Sequence, residues 1–599
     1  MRQLHVETTD LLQRSSRVTI KDASGADAAY FGCGGTRPGP LTHTCLPSDS
    51  YVVVMGTGKR GRPTQPTVKR HIRGGLGCEY RIAWMLRINR LYGDDQSLSV
   101  GKKFARAFRG GSWDREVDGS QITHWEKLDQ IPGYEVIRRY EELLGLPRNS
   151  LIAVADVVYH DKRGTPGSPH LKRPPDPYGI RRAGLGDVVD RALSTDAMNG
   201  DDWDALTANL DATRTVLPAS DPGWPAVVER LAQELLLAEH IHWAQRNEAM
   251  VRFVGDPSST SMVIAVCDAL SADSRNQVSS ELLGLLEITP HPDAMAHLIR
   301  QVSTPVNEVA RRGAWWAAAE KTGRGHLRTP DLIALAKHAR RLLAGYEGHP
   351  DCRSAAANVL YQLHAVTPAL FKSLRLNESD ASVRNVLTGG RIVAVTDASV
   401  TVNRIAEVVL GQMSSGHLST DPILAELLGD ALFDPQVTAR LGALSLIRVT
   451  PYRKPTANVL AMELGGKDAR SNPDLFASMV RALAFLGTPT HRQHLEKIAL
   501  ATDGFAPRFR ATVIHSLAHC GESDSADEVW TALIVRHLMN QSNPMEKHIA
   551  DGLIYALGIQ RRFGSLRRLV ANPAMPGPVR AAASWWLNLP EHVLRSTSR

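Results

Sequence analysis

At 599 residues the chain is too long for a single compact core, which predicts several domains or one elongated repeat array. Its composition, 43% hydrophobic and 22% charged, is that of a globular protein, and no run approaches the roughly 18 consecutive apolar residues of a membrane span. Six scattered cysteines exclude a disulfide framework, and the start of the chain lacks the segments of a secretory signal. A cytoplasmic location is therefore expected.

The net charge of +8 is concentrated in one segment. Residues 55–110 hold thirteen Lys or Arg and three acidic residues, whereas the chain after residue 110 sums to −2. Such a local surplus is expected of a module that binds a polyanion, because each basic side chain that neutralises a phosphate releases counterions. The alternative is a solubilising basic linker, since basic runs are common on solvated surfaces.

The first two segments have no regular period. Residues 1–54 are interpreted as a disordered extension, because Gly, Pro, Thr and Ser dominate their end. Residues 55–77 form a basic arm, within which residues 58–63 (GKRGRP) resemble the core of an AT-hook. The resemblance implies that Arg60 and Arg62 lie along the floor of a narrow, A·T-rich minor groove. A chance match within a basic linker is the alternative.

From residue 78 the apolar spacing becomes helical and defines a domain over residues 78–160. It predicts a first helix over 79–92, a second that begins with Ser99 as its cap, a third over 119–127 and a fourth over 133–144. The second helix carries the basic residues Lys102, Lys103 and Arg106.

The third and fourth helices carry a recognisable pattern. Residues 118–127 (DGSQITHWEK) and 132–147 (PGYEVIRRYEELLGLP) resemble the recognition helix and following helix of the Xre/Cro-like helix-turn-helix family, whose recognition run typically ends in a Trp-Glu pair. The resemblance implies that Ile122 and Trp125 face inward. It also implies an outward, DNA-contacting face formed by Ser120, Gln121, Thr123 and His124.

Each contact with DNA has an expected chemistry. Gln121 is expected to bond bidentately to adenine, and Ser120 to hold a phosphate through its hydroxyl and backbone donors. Lys102, Lys103 and Arg106 are expected to contact the DNA backbone whatever its sequence. The chain departs from the family at the turn, where residues 110–118 insert about eight extra residues. A helical core in which the Trp-Glu pair is coincidental is the alternative.

Two further segments complete the chain. Residues 161–185 are rich in Pro, Gly, Lys and Arg and are interpreted as a linker, because Pro blocks a continuous helix. Residues 186–599 are helical almost throughout. Residues 476–487 (FASMVRALAFLG) and 509–521 (FRATVIHSLAHCG) align with a period of 34, and the next two copies, over 548–558 and 579–587, follow after 39 and 31 residues. Weaker relatives occur over 306–318, 352–363 and 437–447.

This irregular period resembles HEAT or armadillo-like repeats, in which helix pairs stack with small residues at the crossings. The closing glycines, Gly487 and Gly521, are expected to adopt the left-handed cap. The predicted fold is all-α, with an N-terminal helix-turn-helix domain followed by an α-solenoid of HEAT-like repeats. A non-repetitive helical bundle is the alternative.

Catalytic and metal-binding patterns are weak. Cys33, His43 and Cys45 are close in sequence, but no second pair of ligands completes a zinc site, so no metal is expected. His240 and His242 are two residues apart in a helix and are interpreted as packing histidines. The chain has no phosphate-binding loop and no nucleophile elbow, so neither an enzyme nor a cofactor is expected, although carboxylates could still meet after folding.

The expected function is sequence-specific binding of double-stranded DNA, as a nucleoid-associated transcriptional regulator whose repeats form a platform for a protein or ligand. No membrane partner is expected. A homodimer is a further expectation, because helix-turn-helix units usually read paired half-sites. The alternatives are an interaction scaffold with a basic nucleic-acid-anchoring head and a helical-repeat enzyme that processes nucleic acid.

Overall fold

The computed structural model describes residues 77–111, 113–160, 182–213, 223–345, 349–374, 380–413, 418–501, 504–521, 526–538 and 544–597. The expectations for residues 1–54, for the basic arm and for most of the linker therefore lie outside the described residues. Over the described ranges the chain folds as α-helices, and its one β-type pairing is an isolated bridge between Gly110 and Trp113. The expected all-α class is confirmed. Among the same residues, no helix is long and apolar enough to cross a membrane.

Five helices form the N-terminal part, which we call the head. They are α1 (Cys78–Tyr92), α2 (Gly101–Phe108), α3 (Gly119–Glu126), α4 (Tyr134–Leu143) and α5 (Ser150–His160). The first four confirm the helices predicted from the spacing of apolar residues. The fifth was not predicted, and it begins where the Glu141 carboxylate accepts hydrogen bonds from the backbone N–H groups of Asn149, Leu151 and Ile152.

The predicted cap of α2 is wrong by one residue. Val100 occupies the cap position and makes no side-chain cap hydrogen bond. The Ser99 hydroxyl instead donates to the Gln96 carbonyl at 2.7 Å. The cause lies upstream, because the Asp95 carboxylate accepts from Ser97 N and starts a short 3-10 turn that still includes Ser99.

Helices continue through the rest of the chain, and we call this part the repeat region. They are α6 (Arg182–Leu193), α7 (Gly200–Thr213), α8 (Gly223–Leu237), α9 (His240–Gly255), α10 (Thr260–Ser271), α11 (Ser279–Leu285), α12 (Pro292–Ser303), α13 (Glu308–Gly323), α14 (Thr329–Ala344), α15 (Pro350–Val366), α16 (Pro368–Ser373), α17 (Ala381–Gly389), α18 (Val395–Gly411), α19 (Pro422–Phe433), α20 (Val437–Arg448), α21 (Arg453–Leu464), α22 (Lys467–Ser471), α23 (Pro473–Leu486), α24 (Pro489–Leu500), α25 (Pro507–Ser516), α26 (Ala526–His537), α27 (Pro544–Ile559), α28 (Phe563–Ala571), α29 (Gly577–Leu587) and α30 (Glu591–Ser596). Residues 182–185, expected to belong to the linker, are thus the first turn of α6.

The repeat region contains two rows in which each helix packs against the second helix after it along the chain. In the first half α7, α9, α11, α13, α15 and α17 contact one another in succession, and in the second half α21, α23, α25, α27 and α29 do the same. The four helices that carry the aligned sequence copies are α23, α25, α27 and α29. The aligned copies thus lie on helices that are direct neighbours in one row.

The role expected for the closing glycines is wrong. Gly487 has φ −65° and ψ 173°, which is extended backbone, and Gly521 has no positive φ either. Close approach explains Gly487 instead, because a Cβ there would lie 2.5 Å from the Leu483 carbonyl oxygen. In α27, a Cβ at Gly558 would lie 2.1 Å from the Trp586 ring of α29, so only glycine lets these helices meet.

The end of the chain contacts the start of the repeat region. Helix α30 packs against α8. The Arg246 guanidinium, buried in α9, donates to the Ser596 carbonyl at 2.8 Å, and the Ser596 hydroxyl accepts from Met198 N at 3.1 Å. These hydrogen bonds join residues about 350 to 400 positions apart in the sequence.

The head and the repeat region share one hydrophobic core, which extends from Ile82 to Val593. Helix α5 is buried along most of its length between α1 and α4 on one side and α9 and α20 on the other. Arg81 of α1 adds an ion pair with Glu426 and Asp430 of α19, at 2.5 and 2.6 Å. The head is therefore fixed to the repeats by both apolar packing and charged groups.

Candidate nucleic-acid interface

The predicted recognition helix, α3, has the two faces that the sequence indicated. Ile122 and Trp125 are buried, with 1% and 4% of their surface exposed. Ser120 and His124 are exposed, and Gln121 and Thr123 are half-buried. The four polar side chains therefore lie together on the outer side of a helix whose inner side is fixed in the core.

The outward side chains are held by short local hydrogen bonds. Gln121 Nε2 donates to Gln130 Oε1 at 2.5 Å, and His124 Nδ1 lies 3.1 Å from Asp129 Oδ2. Thr123 Oγ1 donates to the Gly119 carbonyl at 2.9 Å. A base edge would have to replace the exposed Gln130 as the partner of Gln121. The cost is low, because the base edge returns the one neutral hydrogen bond that is lost with Gln130.

The start of α3, where a phosphate contact was expected at Ser120, is capped by a carboxylate. Asp118 Oδ1 accepts from Ser120 N and Gln121 N, both at 2.8 Å, and from Ser120 Oγ at 2.5 Å. The hydrogen bond from the Ser120 side chain contributes most, and together these hydrogen bonds lower the pKa of Asp118. The carboxylate is therefore ionised. A phosphate at this helix terminus would meet the negative charge of Asp118, and the phosphate contact of Ser120 stays a prediction.

Positive charge lies on the neighbouring helix. Lys102, Lys103 and Arg106 of α2 are exposed. The start of α3 lies against the start of α2, because a Cβ built on Gly119 would be 3.5 Å from Lys102 Cγ and 3.7 Å from its Cα. The structure thus brings Lys102 next to the outward face of α3.

The residues inserted before α3 are anchored in the core. The Trp113 ring lies 5.2 Å from the Phe108 ring and 5.8 Å from the Trp125 ring, in edge-to-face contact with both. The turn that leads to it uses Gly110 and Gly111 at φ 122° and 56°, which residues with a Cβ rarely adopt. The extra length therefore forms a fixed connection between α2 and α3.

The Trp-Glu pair has a structural role. Trp125 packs on Phe108 at 5.3 Å between ring centroids. Glu126 is buried and forms a two-pronged ion pair with Arg90 of α1, in which both N···O distances are 2.6 Å. The Tyr140 hydroxyl donates to the same carboxylate at 3.0 Å. One carboxylate thus ties α3 to α1 and α4, and this sets the direction of α3.

A polar cluster in the repeat region was not predicted. Four helices or their caps contribute His349, Asp351, Arg481, His515 and His548, which we call the histidine-arginine cluster. The His349 and His548 rings are 5.0 Å apart, and Arg481 pairs with Asp351 at 2.9 Å. A signal was present in the aligned copies, because Arg481 and His515 each follow the aligned alanine by four residues. Both interrupt an otherwise apolar helix face, but only the fold brings the other members to the same place.

Five other candidate residues are not described by the structure. Arg60 and Arg62, together with Cys33, His43 and Cys45, lie outside the described residues. In the described ranges, no group of three or more His, Cys, Asp or Glu is arranged to hold a metal ion.

The two histidines of α9 differ from each other. His240 is half-buried, with its ring 5.7 Å from that of Phe485, as a packing histidine would be. His242 is exposed, so the packing role expected for it is wrong.

Comparison of the chain with models of known protein families, with curated proteins and with solved structures finds no match.

Proposed function

We propose that the protein is a sequence-specific DNA-binding regulator that reads the major groove with α3, while its repeat region acts as a platform for a protein or a ligand. One observation carries the proposal: short polar side chains lie on the outer face of α3, and the start of α3 contacts Lys102 of α2, the helix that also exposes Lys103 and Arg106. An exposed polar helix next to basic side chains has the properties that groove recognition requires.

The roles within this interface divide by chemistry. Gln121 presents a carboxamide, which can exchange two hydrogen bonds with adenine, and Thr123 and His124 extend the same outward face. The lysines of α2 supply charge to neighbouring phosphates, which does not depend on sequence. Asp118 has the opposite effect, because its carboxylate repels phosphates from the start of α3.

The test uses the full chain, because α5 of the head is buried against the repeat region. Genomic fragments that the protein selects at low salt are compared with random duplexes by fluorescence anisotropy. Selection of no fragment over random DNA would contradict the proposal.

The contribution of the basic helix is measured on the selected fragment. Replacing Lys102 and Lys103 by Ala is expected to weaken binding to selected and random DNA alike, and to lower the slope of log K against log salt by about 1 for each phosphate that is no longer neutralised. Lys337→Ala, which removes an exposed lysine of α14, is the matched control and should leave the slope unchanged. An unchanged slope in the double variant would remove α2 from the interface.

A further inference from the structure

The sequence His-Pro-Asp occurs twice at the start of a helix. His291-Pro292-Asp293 begins α12, and His349-Pro350-Asp351 begins α15. In each copy the imidazole Nδ1 atom accepts a hydrogen bond from the backbone N–H of the aspartate, at 3.3 Å in the first copy and 3.1 Å in the second. The same nitrogen lies 3.8 Å from the aspartate carboxylate in both. The two copies are thus alike in sequence and in local geometry.

Only a neutral imidazole can form this cap. A protonated imidazole carries an N–H on both ring nitrogens and has no lone pair with which to accept a hydrogen bond. Because the donor is a backbone N–H, Nδ1 of each capping histidine carries no proton. Protonation would remove an acceptor from the start of the helix, where backbone N–H groups need one, and would add a positive charge at the positive end of the helix dipole.

The two copies differ in what covers them. In the first copy 31% of the His291 side chain and 75% of the Asp293 side chain are exposed. In the second copy the corresponding fractions are 13% and 16%. The His548 ring of α27 lies in edge-to-face contact with the His349 ring, with centroids 5.0 Å apart. The cap of α15 is therefore part of a contact between helices that are distant in the sequence.

The aspartate of the second copy is also bound by another helix. Arg481 Nη2 of α23 lies 2.9 and 3.0 Å from the two carboxylate oxygens of Asp351. In the first copy a protonated histidine could pair with its exposed aspartate. A protonated His349 would instead compete with Arg481 for Asp351, and its charge would lie against the His548 ring. Protonation of the second copy thus disrupts both the cap and the contact with α23 and α27.

We propose that the contact of α15 with α23 and α27 is a pH switch, which is closed while the His349 imidazole is neutral and opens when acid protonates it. In the closed state the neutral ring caps α15, Arg481 binds Asp351, and His548 covers the His349 ring. Helix α15 belongs to one row of the repeat region, and α23 and α27 belong to the other. Opening of the switch therefore loosens one row from the other. The switch does not involve α3, so it is independent of DNA binding.

The pKa of His349 gives the pH range of the switch. Burial is the largest cause, and it lowers the pKa of His349 from its usual 6.5 to about 3. Burial, ahead of neighbouring charges, also lowers the pKa of His548. The open state binds a proton near pH 6.5, whereas the closed state stays neutral down to about pH 3. Between these values, each unit of acidification shifts the equilibrium of one histidine about tenfold toward the open state.

Charged groups from several helices surround the switch. The Asp351 carboxylate raises the pKa of His349, but burial and the nearby cations outweigh it. The cations are Arg312 of α13, Arg440 of α20 and Arg481 of α23, and the further acidic groups are Glu308 of α13 and Asp474 of α23.

The test is amide hydrogen exchange of the full chain between about pH 5 and pH 6.5, corrected for the intrinsic exchange rate at each pH. This range lies above the usual pKa of Asp351, 3.8, so protonation of that carboxylate does not contribute. From pH 6 to pH 5 the opening constant of the α15 amides is expected to rise about tenfold for one proton. Helix α18, which contains no histidine, is the reference. A pH dependence in α15 no steeper than that in α18 would overturn the proposal.

A variant assigns the proton to its residue. His349→Asn keeps a cap, because Asn is a favoured N-cap residue, but it does not titrate. The slope of the logarithm of the α15 opening constant against pH should become shallower by about 1. His291→Asn is the matched control, since it replaces the same cap in the more exposed copy, and it should leave the slope in α15 unchanged. Equal slopes for His349→Asn and the unchanged chain would contradict the proposal.

Discussion

In the proposed DNA interface, Gln121 is the residue on which sequence recognition would depend. Its carboxamide is half-buried and held at 2.5 Å by Gln130, an exposed residue beyond the end of α3. This hydrogen bond orients the carboxamide before DNA is bound, so binding costs less side-chain entropy. A residue with these properties suits readout of a base edge better than attachment to a phosphate.

Gln121→Ala is expected to relax base preference. Affinity for the selected fragment should fall by about 1–3 kcal/mol, while affinity for random duplexes should change little, because the variant lacks a group that reads a base but keeps every charge. Fluorescence anisotropy on both DNAs measures the difference. Gln233→Ala, on α8 of the repeat region, is the control. Equal reductions on both DNAs would contradict the role of Gln121 in base readout.

At the scale of the element, α3 is positioned by its inner face. The buried Glu126 carboxylate accepts two short hydrogen bonds from Arg90 and a third from the Tyr140 hydroxyl. The Arg90 guanidinium also lies over the Phe104 ring, 5.9 Å from its centroid. Removal of one partner would leave a buried charge unpaired, which costs more than the pair itself contributes.

Glu126→Ala is expected to destabilise the head by about 3–5 kcal/mol. Hydrogen exchange of the α1 and α3 amides should accelerate accordingly, since their opening becomes easier. Glu116→Ala removes an exposed partner of Arg109 and should have little effect. The double variant Arg90→Met with Glu126→Met should regain most of the protection against exchange. If Glu126→Ala left the exchange unchanged, α3 would not depend on this ion pair.

At the scale of the whole molecule, the head is fixed to the repeat region through α1. Arg81 reaches Glu426 and Asp430, and Trp84 Nε1 donates to Asp421 Oδ2 at 2.8 Å. The Tyr92 hydroxyl accepts from Leu418 N at 3.0 Å. These interactions join residues that are more than 300 positions apart in the sequence.

Arg81→Ala is expected to loosen this attachment while the helices of the head stay folded. Two carboxylates of α19 would be deprived of a shared counter-charge, so the amides of α1 and α19 should exchange faster with solvent. Arg115→Ala, an exposed arginine of the same head, is the control and should change neither helix. Exchange in α1 and α19 that matches the unchanged chain would mean that apolar packing and the hydrogen bonds of Trp84 and Tyr92 hold the head without Arg81.

Part of this structure is determined by the local sequence. The spacing of apolar residues placed α1 to α4, because helix periodicity is a property of neighbouring residues. The resemblance of the sequence to a known family implied that Ile122 and Trp125 form the inner face of α3. The 34-residue period likewise identified helices that pack side by side.

The tertiary structure decided the rest. Trp113 anchors the inserted turn by packing on Phe108 and Trp125. The ion pair of Arg481 with Asp351 depends on packing between helices that are distant in the sequence. A helical period specifies which face of a helix is buried, but not which distant face covers it, and that pairing decides which charged groups meet.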